Sequence, residues 1–182
     1  AEKDLRQFPE PVLPLEALQD SSVLLGKDSL DIRYQPQDFA YYKLHALHLT
    51  DKLIRQLASG WRPSNAYQLK SLLSEFMMLP VLFQQAKEGR GCSKRESFAT
   101  VATAFPKSTW RIMNDISDIR SHWNYRPSSL SRWVLTRTNA FFTLFRKRWP
   151  SAIPGTLKQR LTPDFYRDML SLARAMKTAL ES

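Results

Sequence analysis

Ile112, Ile116, Ile119 and Trp123 recur at intervals of four, three and four residues. That spacing lines one face of an α-helix and cannot line one face of a strand. The same period governs most of the chain from Asp38 onward, and proline, glycine and capping residues cut it into separate pieces. The pattern predicts an all-α fold, a single-domain bundle of six or seven helices over 38–182, preceded by an extended arm over 1–37.

The arm follows from Pro9, Pro11 and Pro14 among scattered charges, which favour extended backbone over a packed element. Within it Leu30, Ile32 and Tyr34 alternate with polar residues, and Gly26 to Ser29 separates them from Val23-Leu24-Leu25. A short β-hairpin is one reading of this stretch and irregular coil the other.

Leu44, Leu47, Ile54 and Leu57 read as one side of a first helix over about 38–58, which Gly60 ends in the left-handed conformation. Ser64 is placed to cap a second helix with Leu69, Leu72, Leu73, Phe76, Met77 and Leu79 on its apolar face. Pro80 should kink or split that helix, because proline lacks an amide donor and crowds the preceding turn. Its continuation over 81–87 should stop at Gly89 and Gly91.

Ser93 and Glu96 have capping-box spacing and should open a third helix, buried through Phe98, Val101, Ala102 and Phe105. Pro106 ends it, and Ser108 can cap a fourth helix carrying the isoleucine face. A fifth is expected over about 129–149, with Trp133, Phe141, Leu144 and Phe145 inside and Pro127 and Pro150 at its bounds. The stretch 150–161 reads as a loop. Thr162-Pro163 is a cap followed by proline at the first helical position, and the last helix should bury Phe165, Met169, Leu172, Met176 and Leu180.

Charge constrains the partner more than the fold. Between Lys107 and Arg160 there are eleven Lys or Arg against two acids, Asp115 and Asp118, so this stretch holds nine of the net +10. A segregated positive charge points to a polyanion, either nucleic acid or an acidic protein surface. Trp110, Trp123, Tyr125, Trp133 and Trp149 lie in the same stretch and add flat surfaces, although apolar helical positions make core packing the competing use for most of them.

Residues 96–123 resemble a helix-turn-helix in outline: a short helix, a break at Pro106, then a longer helix with small and cationic residues at its start. If that helix enters a major groove, Lys107, Ser108, Thr109, Arg111 and Asn114 are the contacts. Against this stand Pro106, where such turns usually place glycine, and Asp115 and Asp118 farther along. Arg126, Arg132, Arg137, Arg146, Lys147 and Arg148 are candidates for phosphate contact without sequence preference. The competing explanation for the last three is that cations at a helix C-terminus complement its dipole.

Catalytic readings are weaker. His45 and His48 could share a metal, but no further ligands are evident in sequence; ordinary imidazoles account for them. Asp115 and Asp118 have the spacing some helical synthases use for magnesium and diphosphate, but a second such motif is missing. Cys92 has no histidine beside it in sequence, and no glycine-rich phosphate loop, Gly-x-Ser-x-Gly or zinc-ribbon spacing occurs. The expectation is therefore a nonenzymatic nucleic-acid-binding protein with no cofactor and no bound metal.

A protein-interaction adaptor or assembly subunit is the alternative, because Tyr41-Tyr42, Met77-Met78 and Phe141-Phe142 cannot all face one narrow core stripe. The longest uncharged apolar run, Phe76 to Phe83, falls far short of the roughly 20 residues that span a bilayer, so no transmembrane segment is expected. A lone Cys92 and an N-terminus without a signal-peptide core suggest a reducing, cytoplasmic setting. The chain opens on Ala1, consistent with processing or with a domain of a longer protein.

Overall fold

Gly60 adopts φ +76 and Gly89 φ +67, a region that L side chains rarely enter, and each closes a helix where the sequence predicts a stop. The computed structural model of the chain describes residues 39–89, 93–123 and 152–182. They form α1 (Phe39–Ala58), α2 (Ala66–Phe76), α3 (Leu79–Glu88), α4 (Lys94–Ala102), α5 (Lys107–Ser121), α6 (Gly155–Arg160) and α7 (Pro163–Glu181). The described residues are all-α, with no strand among them. The expected arm over 1–37, its hairpin, and the helix over 129–149 lie outside the described residues.

Local signals start and stop most of these helices. Ser93 accepts from the Glu96 amide at 3.2 Å and opens α4. Thr162 Oγ1 accepts from the Phe165 amide at 3.2 Å, with Pro163 first in α7, where a missing N–H costs nothing. Pro80 does split the second predicted helix: α2 ends at Phe76, and α3 begins at Leu79 with proline in its first turn.

Three local expectations shift. The cap of α2 is Asn65, not Ser64: Asn65 Oδ1 accepts from the Gln68 amide at 2.8 Å. Ser64 stands one residue outside, its amide donating to Gln68 Oε1 at 2.9 Å. α5 begins at Lys107, so Ser108 is inside its first turn and not ahead of it. The loop expected over 150–161 contains α6, since Thr156 to Arg160 includes the good helix formers Leu, Lys, Gln and Arg and the Pro154 carbonyl accepts from the Leu157 and Lys158 amides.

Packing divides the chain into two compact units. Among the described residues, the first comprises 39–52, 78–89, 93–107 and 174–182. In it α1 buries Tyr42, Ala46 and Thr50, while Leu44 is 66% exposed and Leu47 half-buried. The aliphatic side predicted for α1 is thus wrong at its start. The true stripe carries a small residue and a hydroxyl whose donor is satisfied within the helix, Thr50 Oγ1 donating to the Ala46 carbonyl at 2.7 Å. α3 is buried on every side from Leu79 to Ala86 and packs against α4. α4 buries Ser97 and Val101, whereas Phe98, Ala102 and Phe105 are only half-buried. Phe105 meets the edge of Phe83 with ring centroids 5.4 Å apart. Met176 and Leu180 of α7 complete this core, and Lys177 Nζ reaches Asp51 Oδ1 of α1 at 2.7 Å.

The second unit comprises 53–77, 108–123 and 152–173. α2 contributes Leu69, Leu72, Leu73 and Phe76 to its core, and Met77 is half-buried. α5 adds Ile112, Met113, Ile116 and Ile119 together with Trp110; α7 adds Phe165, Met169 and Leu172. The predicted isoleucine face is the buried face, and Trp123, just past the helix, is half-buried. No helix among the described residues is long and apolar enough to cross a membrane.

Candidate functional site

Because α5 turns its isoleucines inward, Lys107, Ser108, Arg111, Asn114 and Asp118 fall on its exposed side, with Thr109 half-buried. Of the predicted contact residues, Lys107, Arg111 and Asn114 therefore share a surface with Ser108 beside them, whereas Thr109 falls on the side of Ile116; Trp110, one of the aromatics of the basic stretch, is core and offers no stacking face. α4 falls in the first compact unit and α5, from Ser108, in the second. Arg126, Arg132, Arg137, Arg146, Lys147 and Arg148 lie outside the described residues, as does Cys92.

The cations of this surface are not equally available. Arg111 pairs with Asp168 of α7 at 3.2 Å, and Arg160 of α6 pairs with Asp118 at 2.8 Å. Arg120 is half-buried and donates to Ser74 Oγ of α2. Lys107 and Lys158 are exposed and make no ion pair among the described residues. The Arg160 hydrogen bond holds the Asp118 carboxyl below the usual carboxylate range; desolvation opposes this, and the nearby His122 adds to it. Asp118 thus turns to Arg160 and to His122, whose Nδ1 is 3.0 Å away. Among the described residues no group of three or more His, Cys, Asp or Glu gathers that could hold a metal.

His45 stacks on the ring of Tyr41, with centroids 6.4 Å apart and planes 15° from parallel. Burial, with repulsion from His48 added, pulls its imidazole below the ordinary value of 6.5. A histidine depressed in this way binds a proton less readily folded than unfolded. Its contribution to stability is therefore whole above the unfolded value and is lost as pH falls through that value toward the lower folded one. The melting temperature is expected to drop between about pH 7.5 and 5.5, and to drop less in a His45→Asn variant. Equal drops in the two proteins would show that His45 does not carry the effect.

A different arrangement of cation and ring forms in the second unit. Arg62 places its guanidinium carbon 4.3 Å above the centroid of the Tyr166 ring, within cation–π range. Its Nη1 donates to the Trp61 carbonyl at 2.8 Å, which fixes the plane of the group. Beside this pair lies an open cleft of about 360 Å³, lined by Arg62, Lys158 and Tyr166 and walled by Ile153, Pro63 and Pro163. None of the described residues that line it is acidic. Burial pushes the Tyr166 hydroxyl above its ordinary pKa against the opposing charge of Arg62, so the ring stays a neutral floor. Sequence reasoning missed this pair. Arg62 and Tyr166 fall outside the basic stretch, and no local pattern joins them; an arginine beside a proline and a tyrosine on a helical face are ordinary in themselves.

No protein-family model, curated protein or solved structure matches this chain.

Proposed function

We propose that the chain binds nucleic acid and catalyses no reaction, through the cations of 107–160. The observation that carries this reading is the segregation of charge, eleven basic residues against two acids in that stretch of a chain otherwise nearly balanced. Two features support it. The exposed side of α5 carries Lys107, Arg111 and Asn114 in line, residue types that contact phosphates and base edges. Asp118, farther along that line, is countered by Arg160, which lessens its repulsion of a phosphate backbone.

Salt titration tests the proposal. Affinity for DNA should fall linearly on a log-log plot as ionic strength rises, with a slope proportional to the phosphates neutralised. Replacing Arg146, Lys147 and Arg148 together should weaken all sequences alike and flatten the slope by about 0.9 for each duplex phosphate no longer neutralised. Replacing Lys107 or Arg111 should alter discrimination between sequences if α5 reads bases. Absence of binding at low salt, or tight binding indifferent to salt, rejects the proposal.

A second reading, an adaptor or assembly subunit, has one observation in its favour: α1 exposes Tyr41 and Leu44, 41% and 66% accessible, nearly one turn apart. The mass of the native particle separates the two. A stoichiometric protein partner retained through high salt favours the adaptor; a monodisperse monomer removes its main support.

A further inference from the structure

We propose that the cleft between Arg62, Lys158 and Tyr166 takes one unpaired nucleotide of a single strand, its phosphate held by the two cations and its base against the flat and apolar walls. This inference rests on the nucleic-acid reading above and adds to it a site and a strand preference. Size is the first argument. A cleft of about 360 Å³ lies within the range of small-ligand pockets, roughly 300–1,000 Å³, and suits one nucleotide better than a side of duplex. Duplex DNA presents a convex rod whose bases are stacked away; a concave site of this volume admits a base only after it has left the stack.

Chemistry is the second argument. Lys158 has no ion-pair partner among the described residues, and Arg62 makes a single hydrogen bond there, to the Trp61 carbonyl. The remaining guanidinium N–H groups and the ammonium thus have no acceptor among the described residues, in a cleft whose described lining includes no acid, a surplus of donors that a phosphate would satisfy. Tyr166 holds the guanidinium plane from one side, at 4.3 Å. A plane fixed in this way offers its opposite face to a nucleobase, as arginine planes and aromatic rings do wherever proteins grip unstacked bases. Ile153, Pro63 and Pro163 provide apolar surface without hydrogen-bond groups in their side chains, so the site should accept bases with little regard to identity.

The test compares a fluorescently labelled oligothymidylate with a blunt-ended duplex, by anisotropy across a salt series. Arg62→Gln/Lys158→Gln alters two exposed side chains. Its single-strand affinity is expected to fall about tenfold, with the salt slope reduced by about 0.7 for each single-strand phosphate no longer neutralised. Duplex affinity should stay within about twofold, since duplex rests on other cations. Arg62→Lys keeps the charge but not the plane, and it too should weaken the single strand selectively. If wild-type protein binds with steep salt dependence while the double variant keeps full single-strand affinity, the cleft is refuted and the basic-surface reading stands. Equal losses on single strand and duplex, or full function of Arg62→Lys, likewise overturn the nucleotide site. A wild-type preference for polyglutamate over oligothymidylate, abolished in the double variant, would reassign the cleft to an acidic polypeptide. If wild-type protein binds neither nucleic acid at low salt, the parent reading fails, and this one with it.

Discussion

An Ile116→Ala protein is expected to unfold with about 2–5 kcal/mol less stability than the parent, the usual cost of emptying a fully enclosed aliphatic site. Ile116 is 0% exposed and lies between Ile112 and Ile119 on the face of α5 that also buries Met113. The loss combines the transfer energy of the deleted carbons with the cavity that rigid neighbours leave behind. Urea unfolding followed by tryptophan fluorescence reads the second unit directly, because Trp110 is buried on the same helix. The matched control is Asn114→Ala, two positions away on the exposed side, which should change stability by no more than about 0.5 kcal/mol. A cost under about 1 kcal/mol for Ile116→Ala would mean that the face yields when emptied, contrary to a close-packed core. The contrast also separates the buried side of α5 from the side proposed to contact nucleic acid: the inner side can be damaged without touching a proposed contact residue, and the outer side without touching the core.

Gln85→Met should have the opposite sign, raising stability by about 1–3 kcal/mol, the order of the penalty for burying polar groups without partners. Gln85 is 0% exposed, and neither its amide nitrogen nor its amide oxygen has a hydrogen-bond partner among the described residues. Methionine has a similar unbranched reach and adapts to irregular space, so it fills the site without the desolvated amide. Gln84→Met provides the comparison. Gln84 Nε2 donates to Glu88 Oε1 at 3.0 Å, and only its oxygen is unpartnered among the described residues, so removing this amide also forfeits a bond and should gain less. The readout is a higher urea midpoint at unchanged slope. A midpoint lowered by Gln85→Met would show that the amide is satisfied and contributes to the fold.

Most of the described helices and their ends, α6 excepted, were legible in the sequence because their causes act within a turn or two. Ser93 caps a helix three residues from Glu96, Thr162 and Pro163 open α7, Gly60 and Gly89 supply positive φ, and Pro80 ends one helix and starts the next. The isoleucines of α5 and the apolar row of α7 were equally plain, since nearly every large aliphatic there falls on one side. The cap of α2 lay one residue beyond Ser64 because adjacent Ser and Asn compete for the same capping geometry, and only the formed turn selects Asn65. On the charged stretch, sequence identified which helix carries Lys107, Arg111 and Asn114 outward; it could not foresee that Arg111 and Arg160 would be engaged by Asp168 and Asp118.

Tertiary packing alone decided which side of α1 is buried. Leu44 is a better hydrophobe than Ala46 or Thr50, yet the stripe through Tyr42, Ala46 and Thr50 is covered and Leu44 is not, because burial depends on what approaches a face as well as on what the face contains. The same holds for Ser97 and for the two glutamines enclosed in α3. The cleft of Arg62, Lys158 and Tyr166 is the extreme case: Arg62 and Pro63 come from a stretch far along the chain from Lys158 and Tyr166 and meet them only after folding. Capping and periodicity are short-range and are written in neighbouring residues, whereas the identity of a facing surface is a long-range property that no window along the sequence contains.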